Sequence, residues 1–251
     1  MPTSRIPVDR VLSRLDDYLH KNDYAAATRH LLYWLSEAET SRDCVAELPI
    51  RNELMGLYRK LGCREDALAM ANTAKERIDS WKIGDNVGAA TTYLNCATVY
   101  KAFGMAKDAL PLFEKARTIY ENSLTDSDPR LAGLYNNMAL ALVDLSRFRE
   151  ADELYEKAIS IMEHTENGSL EVAITYLNLA SAREAELGLE DAAEAIAAYA
   201  KKAEELLEAC EKRNGYYAFV CEKCASVFDY YGYFAYAREL KDRARRIYEG
   251  T

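Results

Sequence analysis

The sequence predicts an all-α protein built as an array of antiparallel helix pairs, and three observations carry that reading. Gly (11) and Pro (5) are scarce among 251 residues, while Ala, Leu, Glu, Lys and Arg, which lose least on entering a helix, dominate. Two stretches repeat in register: YLNCATVYKAFGMAKDALPLFEKARTIY from Tyr93 and YNNMALALVDLSRFREADELYEKAISIM from Tyr135, 42 residues apart. Finally, a small or turn residue followed five positions later by Ala recurs as Asn22/Ala27, Gly62/Ala67, Gly104/Ala109, Ser146/Ala151, Gly188/Ala193 and Gly232/Ala237, at spacings of 40, 42, 42, 42 and 44. Self-similarity at such a period is the mark of a repeat architecture.

Each unit reads as two helices joined by a tight turn. Helix A carries apolar residues at helical spacing, as in Tyr93, Cys96, Ala97 and Tyr100. The turn falls at the marker residue, where Gly accepts a left-handed backbone at low steric cost. Helix B carries Ala109, Leu112, Phe113 and Ala116, and its alanines let the paired helices approach closely. A further helix A starts at Tyr176, only 41 residues after Tyr135, so that repeat holds one extra residue before its turn. Start signals separate the units: Ser127-Asp128-Pro129, Gly84-Asp85-Asn86, Asn167-Gly168-Ser169 and Arg213-Asn214-Gly215. The expected helix pairs are 8–43, 44–85, 86–128, 129–168, 169–215 and 216–249, which together make residues 1–251 a single domain.

Composition narrows the function classes. The net charge is -9 with the acids spread along the chain and no basic stripe, which disfavours a nucleic-acid partner. The N-terminus has no apolar export segment, and nowhere do 18 apolar residues run together, so no membrane partner is expected. The six cysteines then read as reduced thiols of a cytoplasmic protein.

The Ala97/Tyr100 pair of helix A, the turn Gly104 and the Ala109, Phe113, Ala116 series resemble a tetratricopeptide repeat. Units of 42 residues with an Asn in helix A and Asp-Pro before it are similar to the long kinesin-light-chain variant. The resemblance is tight over 86–165, good over 44–85 and 166–212, and degenerate at the ends, where terminal repeats act as solvated caps. It implies a right-handed α-α superhelix whose A helices line a concave groove that binds an extended protein or peptide segment, with no catalysis and no cofactor.

That geometry puts Asn95, Asn137 and Asn178 on one line inside the groove, with Glu53 and Lys223 at matching places in the flanking repeats. An asparagine side chain offers a donor and an acceptor, which suits a peptide backbone; the competing reading is that these amides tie neighbouring A helices together. Each net hydrogen bond contributes roughly 0.5–1.5 kcal/mol, whereas a micromolar complex needs about 8 kcal/mol, so side-chain pockets must supply the rest. The register places Leu94, Leu140, Val143, Ile174, Leu177 and Phe219 around the line and Arg51, Arg59, Lys60 and Lys101 toward its N-terminal end. The resemblance also speaks against a chaperone-tail clamp, because its cation positions hold Leu94, Thr98, Ile174 and Asn178. Related peptide-sensing receptors of bacterial quorum sensing share the long-repeat architecture, so a standalone peptide sensor is the alternative function.

Other motifs carry less. Cys221 and Cys224 form a lone CxxC, with no second pair and no ligand spacing to His20, His30 or His164; a metal site would need both. Both fall on core positions of the last helix A and read as buried thiols. The C-terminal aromatics from Tyr216 to Tyr236 either close the array or form a self-association surface, leaving monomer and homodimer both open. The Arg238, Lys241, Arg243, Arg245 and Arg246 run reads as a solvated face near a helix C-terminus. No phosphate loop, GxSxG elbow or HExxH motif occurs.

Overall fold

The computed structural model describes residues 6–165 and 168–250, and among them twelve helices and no strand. They are α1 (Val8–His20), α2 (Tyr24–Ser41), α3 (Cys44–Lys60), α4 (Arg64–Trp81), α5 (Val87–Ala102), α6 (Ala106–Ser123), α7 (Pro129–Asp144), α8 (Phe148–Met162), α9 (Gly168–Leu187), α10 (Ala193–Glu208), α11 (Gly215–Tyr230) and α12 (Phe234–Glu249). Odd-numbered helices are the A members of each pair and even-numbered the B members. The helices group into two compact units, Met1–Ser123 with α1–α6 and Leu124–Thr251 with α7–α12.

The turn residues do what the marker requires. Asn22, Gly62, Gly104, Ser146, Gly188 and Gly232 all have positive φ, between 54° and 87°. In five of the six turns the next amide bonds back to the carbonyl five residues earlier: Asp23 to Tyr18, Cys63 to Tyr58, Met105 to Tyr100, Arg147 to Leu142 and Tyr233 to Phe228, each at 2.9 Å. That is the closing bond of a Schellman cap, which satisfies a helix-end carbonyl while reversing the chain. Helix starts are equally explicit. Asp23, Asp43, Asn86, Asp128 and Asn214 accept backbone N–H groups of the first turns they precede. The expected Asn167 start signal lies outside the described residues.

Ala27, Ala67, Ala109, Ala151 and Ala237 are wholly buried, as close helix-pair packing demands. Ala193 is the exception: it is exposed, and Ala192 fills the buried position instead. The extra residue expected before Gly188 is offset by one fewer between Gly188 and Ala192, so α10 keeps its register with helix A, following Tyr135/Tyr176 at 41 rather than Ser146/Gly188 at 42. The turn at Gly188 also lacks the closing bond of the other five, its amide bonding Glu184 O at 2.8 Å instead.

One polar cluster sits inside the first unit. Arg51 and Glu47 are each 2 % exposed. Arg51 Nε donates to Glu47 at 2.9 Å, its guanidinium also reaches Glu39, and Arg77 Nε donates to the same Glu47 oxygen at 2.9 Å. The expectation that Arg51 lends positive charge to a groove is corrected: it is buried, and it pins α2, α3 and α4 together.

Removing one partner of such a cluster strands the other charge, so Arg51→Ala is expected to destabilise folding by roughly 3–5 kcal/mol, measured by chemical denaturation. Ser146, at φ 58°, carries a Cβ in a region that costs about 1 kcal/mol or more for residues other than Gly. After the entropy lost by Gly, Ser146→Gly is expected to raise stability by about 0.5 kcal/mol, and a fall would contradict the strained-turn reading.

Candidate functional site

Within each unit the B helices and neighbouring A helices cover part of every A helix and leave one stripe half-covered. In the first unit α5 presents Thr91, Leu94, Asn95, Thr98 and Lys101, all half-buried. Asn52 of α3 donates to Thr92 Oγ1 of α5 at 3.2 Å, tying one A helix to the next. Asn95 makes no side-chain hydrogen bond among the described residues. Both halves of its amide are therefore open to a ligand. Glu53 on α3 is half-buried; burial, followed by the nearby Asp16 carboxylate, pushes its pKa up. Arg59 and Lys60 are exposed, and Lys60 Nζ lies 4.9 Å from the centre of the Tyr24 ring.

In the second unit the two asparagines differ. Asn137 donates to Gly133 O of its own helix at 2.8 Å, and Asn178 donates to Asn136 Oδ1 of α7 at 2.9 Å. Asn178 thus plays the helix-tying part, matching the Asn52–Thr92 tie of the first unit. The Oδ1 atoms of Asn137 and Asn178 accept no hydrogen bond among the described residues. Leu140, Val143 and Ile174 are half-buried beside them. Leu177 is corrected: at 2 % exposure it packs in the core with Ala173, Ala200 and Cys221 and is closed to a ligand.

Lys223 and Phe219 do come together, with Nζ 4.9 Å from the ring centre. Phe219 also stacks on Tyr216, ring centres 6.3 Å apart. Tyr216 donates its hydroxyl to Glu171 of α9. Burial raises the Glu171 pKa, partly offset by Lys223. Sequence reasoning missed Glu171 and Tyr216 as members of this cluster. Their only signal was position, since Tyr216 opens α11 and Glu171 opens α9. It also missed a recurring pair, a B-helix lysine on an A-helix tyrosine. Lys115 donates to the Tyr93 hydroxyl at 2.8 Å, and Lys157 and Lys202 lie over Tyr135 and Tyr176.

The remaining motifs settle into the interior. Cys221 and Cys224 are buried, and burial pushes their thiols up to about 11 and about 12. Among the described residues no group of three His, Cys, Asp or Glu is placed to hold a metal ion, and no helix is long and apolar enough to cross a membrane. Phe228 is core, packed edge-on against Tyr233 and Tyr236. Tyr230 and Tyr231 both donate to Glu184 of α9, at 2.6 and 2.8 Å, and Tyr236 donates to Glu208 at 2.8 Å. Arg243 of the basic run bridges Glu208, at 2.6 Å, and the Tyr217 hydroxyl, at 2.9 Å.

Residues 49–122 and 131–167 match the tetratricopeptide-repeat family. Solved structures agree at the level of fold. A putative kinesin light chain of Podosopora anserina with nearly identical TPR-like repeats is 18 % identical, with a TM-score of 0.53 over 80 % of this chain and 94 % of that one. BtubC (BKLC) from P. vanneervenii is 20 % identical, with a TM-score of 0.58 over 92 % of this chain and 91 % of that one. A Rap protein complexed with Competence and Sporulation Factor is 14 % identical, with a TM-score of 0.55 over 100 % of this chain and 77 % of that one. No curated protein matches the sequence.

Glu53 gives a pH test of this face. Its raised folded-state pKa means the ionised carboxylate is disfavoured in the folded protein, so its contribution is best below the unfolded value, about 4.3, and worsens as pH rises through the folded value. Glu53→Gln is therefore expected to melt higher than wild type at pH 7, with the gap closing as pH approaches 4. Parallel melting curves at both pH values would contradict the desolvated site.

Proposed function

We propose, from the premise that the chain is a tetratricopeptide-repeat protein with kinesin-light-chain-like repeats, that residues 1–251 act as one non-catalytic scaffold holding an extended peptide segment of a partner protein against its A-helix faces. The observation that carries this reading is the amide chemistry of those faces. Asn95 keeps a donor and an acceptor free, and Asn137 and Asn178 keep acceptors free, beside the half-buried Leu94, Leu140 and Ile174. An extended peptide presents N–H and C=O groups with which such amides can pair. The aliphatic neighbours, with Phe219 and Lys223, offer side-chain pockets and a cationic rim.

The bonds already made reshape the expected division of labour. Asn137 and Asn178 each spend one of their two amide N–H groups inside the protein, so each keeps one N–H and its oxygen for a ligand. Asn95 keeps both N–H groups and its oxygen. A soluble signalling peptide is the alternative occupant, and the likeness to the Rap protein complexed with Competence and Sporulation Factor supports a small ligand of that class on the same faces. The cytoplasm is the compartment in which either occupant would be met.

Substitution separates contact from scaffolding. Asn95→Ala removes no internal hydrogen bond, so its effect on a purified partner recovered by pull-down reads ligand contact alone. Loss of one or two net hydrogen bonds, at roughly 0.5–1.5 kcal/mol each, is expected to weaken binding by about twofold to about 150-fold by calorimetry. The triple change Asn95→Ala, Asn137→Ala, Asn178→Ala is expected to weaken it further. Unchanged affinity in the triple variant, with the fold intact by circular dichroism, would dismiss the asparagines as ligand contacts.

A further inference from the structure

The second unit opens on its B-helix side, along α9. A cavity of about 450 Å³ lies between α8, α9 and α10, lined by Asp152, Glu156 and Glu163 on one side and Tyr176, Arg183 and Tyr199 on the other. A second, of about 520 Å³, shares Glu163, Tyr176 and Lys202 with the first, so the two form one groove. Tyr176 and Arg183 sit on a different stripe of α9 from Glu171, Ile174 and Asn178. This groove is therefore separate from the A-helix face and does not rest on the function proposed above.

Its chemistry is particular. The rings of Tyr176 and Tyr199 stack with centres 6.0 Å apart and planes 22° from parallel. Tyr176 is half-buried, whereas its equivalents Tyr93 and Tyr135 are buried at 2 % and 6 %. Glu156 and Glu163 are exposed and form no ion pair or side-chain hydrogen bond among the described residues. The two cations are already engaged: Arg183 pairs with Asp152 and Glu186, and Lys202 lies 4.9 Å from the Tyr176 ring centre. Of the four carboxylates of the groove, those of Asp152 and Glu205 pair with Arg183 and Lys201, which leaves Glu156 and Glu163 unpaired among the described residues. Two polar atoms here also lack partners, Arg183 Nε and the buried Tyr155 hydroxyl, the latter close enough to Asp152 and Arg183 to feel their charge.

We propose that this groove receives an arginine side chain presented by a protein partner. A guanidinium satisfies both halves of the site. Its flat face stacks on tyrosine, and its fork donates two parallel hydrogen bonds to a carboxylate. An ammonium group would meet the charge but offers no plane to the aromatic floor.

A fluorescein-labelled tetra-arginine peptide tests this on the full chain by polarisation. It is expected to bind wild type and to lose about tenfold or more in affinity on Glu156→Gln with Glu163→Gln, as two charge-assisted bonds go. The same charge change outside the groove, Glu65→Gln with Asp66→Asn on α4, removes no lining carboxylate and is expected to cost less than about twofold, as exposed charges act weakly through solvent. Tyr199→Leu is expected to weaken tetra-arginine more than tetra-lysine. Equal loss in the two double variants, full binding by Glu156→Gln with Glu163→Gln, or no binding by wild type overturns the assignment. So does displacement by spermine at matched charge, which would put a free polyamine there.

Discussion

Everything in this fold depends on how closely two helices of a pair can approach while the chain reverses between them. The turn residue must adopt a left-handed conformation, and the alanine five positions later must present no more than a methyl group to the facing helix. The two demands are coupled. The left-handed residue sets where helix B begins, and the start of helix B sets which of its side chains meets helix A. At Gly104 and Ala109 both are satisfied, with φ 77° and complete burial. Where the turn residue is Asn22 or Ser146, the same geometry holds against a Cβ. The coupling is thus strong enough to impose conformation on residues that do not prefer it.

This coupling explains what could be read from the sequence and what could not. Turns, caps and the interior faces of α5 and α7 were legible because each depends on neighbours in sequence; the buried positions of α5 recur in α7 with a constant shift. Ala193 was misassigned because one inserted residue turns a helix by about 100°, and two adjacent alanines give no local sign of which one faces inward. The sequence reads Arg51 as a groove cation because Glu39 and Met70, which meet its guanidinium beside the intrahelical Glu47, belong to other helices and share no periodic relation with it. Leu177 and Ile174 are both aliphatic residues of α9, and only the position of α11 decides that one is covered and the other half-covered. Sequence patterns fix a residue's own face; they carry little about what another pair lays over it.

The asparagines show why polar residues on such a face resist a single assignment. A half-buried amide must find partners for both its halves, and the nearest groups are the next A helix and its own backbone. Asn52 and Asn178 reach the neighbouring helix, whereas Asn137 turns back on its own. Each tie consumes one donor and fixes the rotamer, leaving the remaining acceptor aimed with little freedom. A group held still in the unbound protein loses less entropy on binding. Tying helices and meeting a ligand are therefore compatible roles, and the first assists the second.

The irregular repeat obeys the same logic from the opposite direction. A regular pair covers its helix-A tyrosine, as at Tyr93 and Tyr135. Tyr176 is half-covered where Tyr93 and Tyr135 are buried, and Leu187 and Leu189, beside the displaced turn, are 49 % and 56 % exposed. At about 25 cal/mol per Å² of apolar surface, the array forgoes burial that its other pairs obtain. A ligand that covers Tyr176 and Tyr199 recovers part of that missing burial without displacing any internal contact, whereas a ligand seated over a regular pair would find its tyrosine already covered. The half-covered Tyr176 is thus a place on the B-helix side of the second unit where binding has apolar surface to gain.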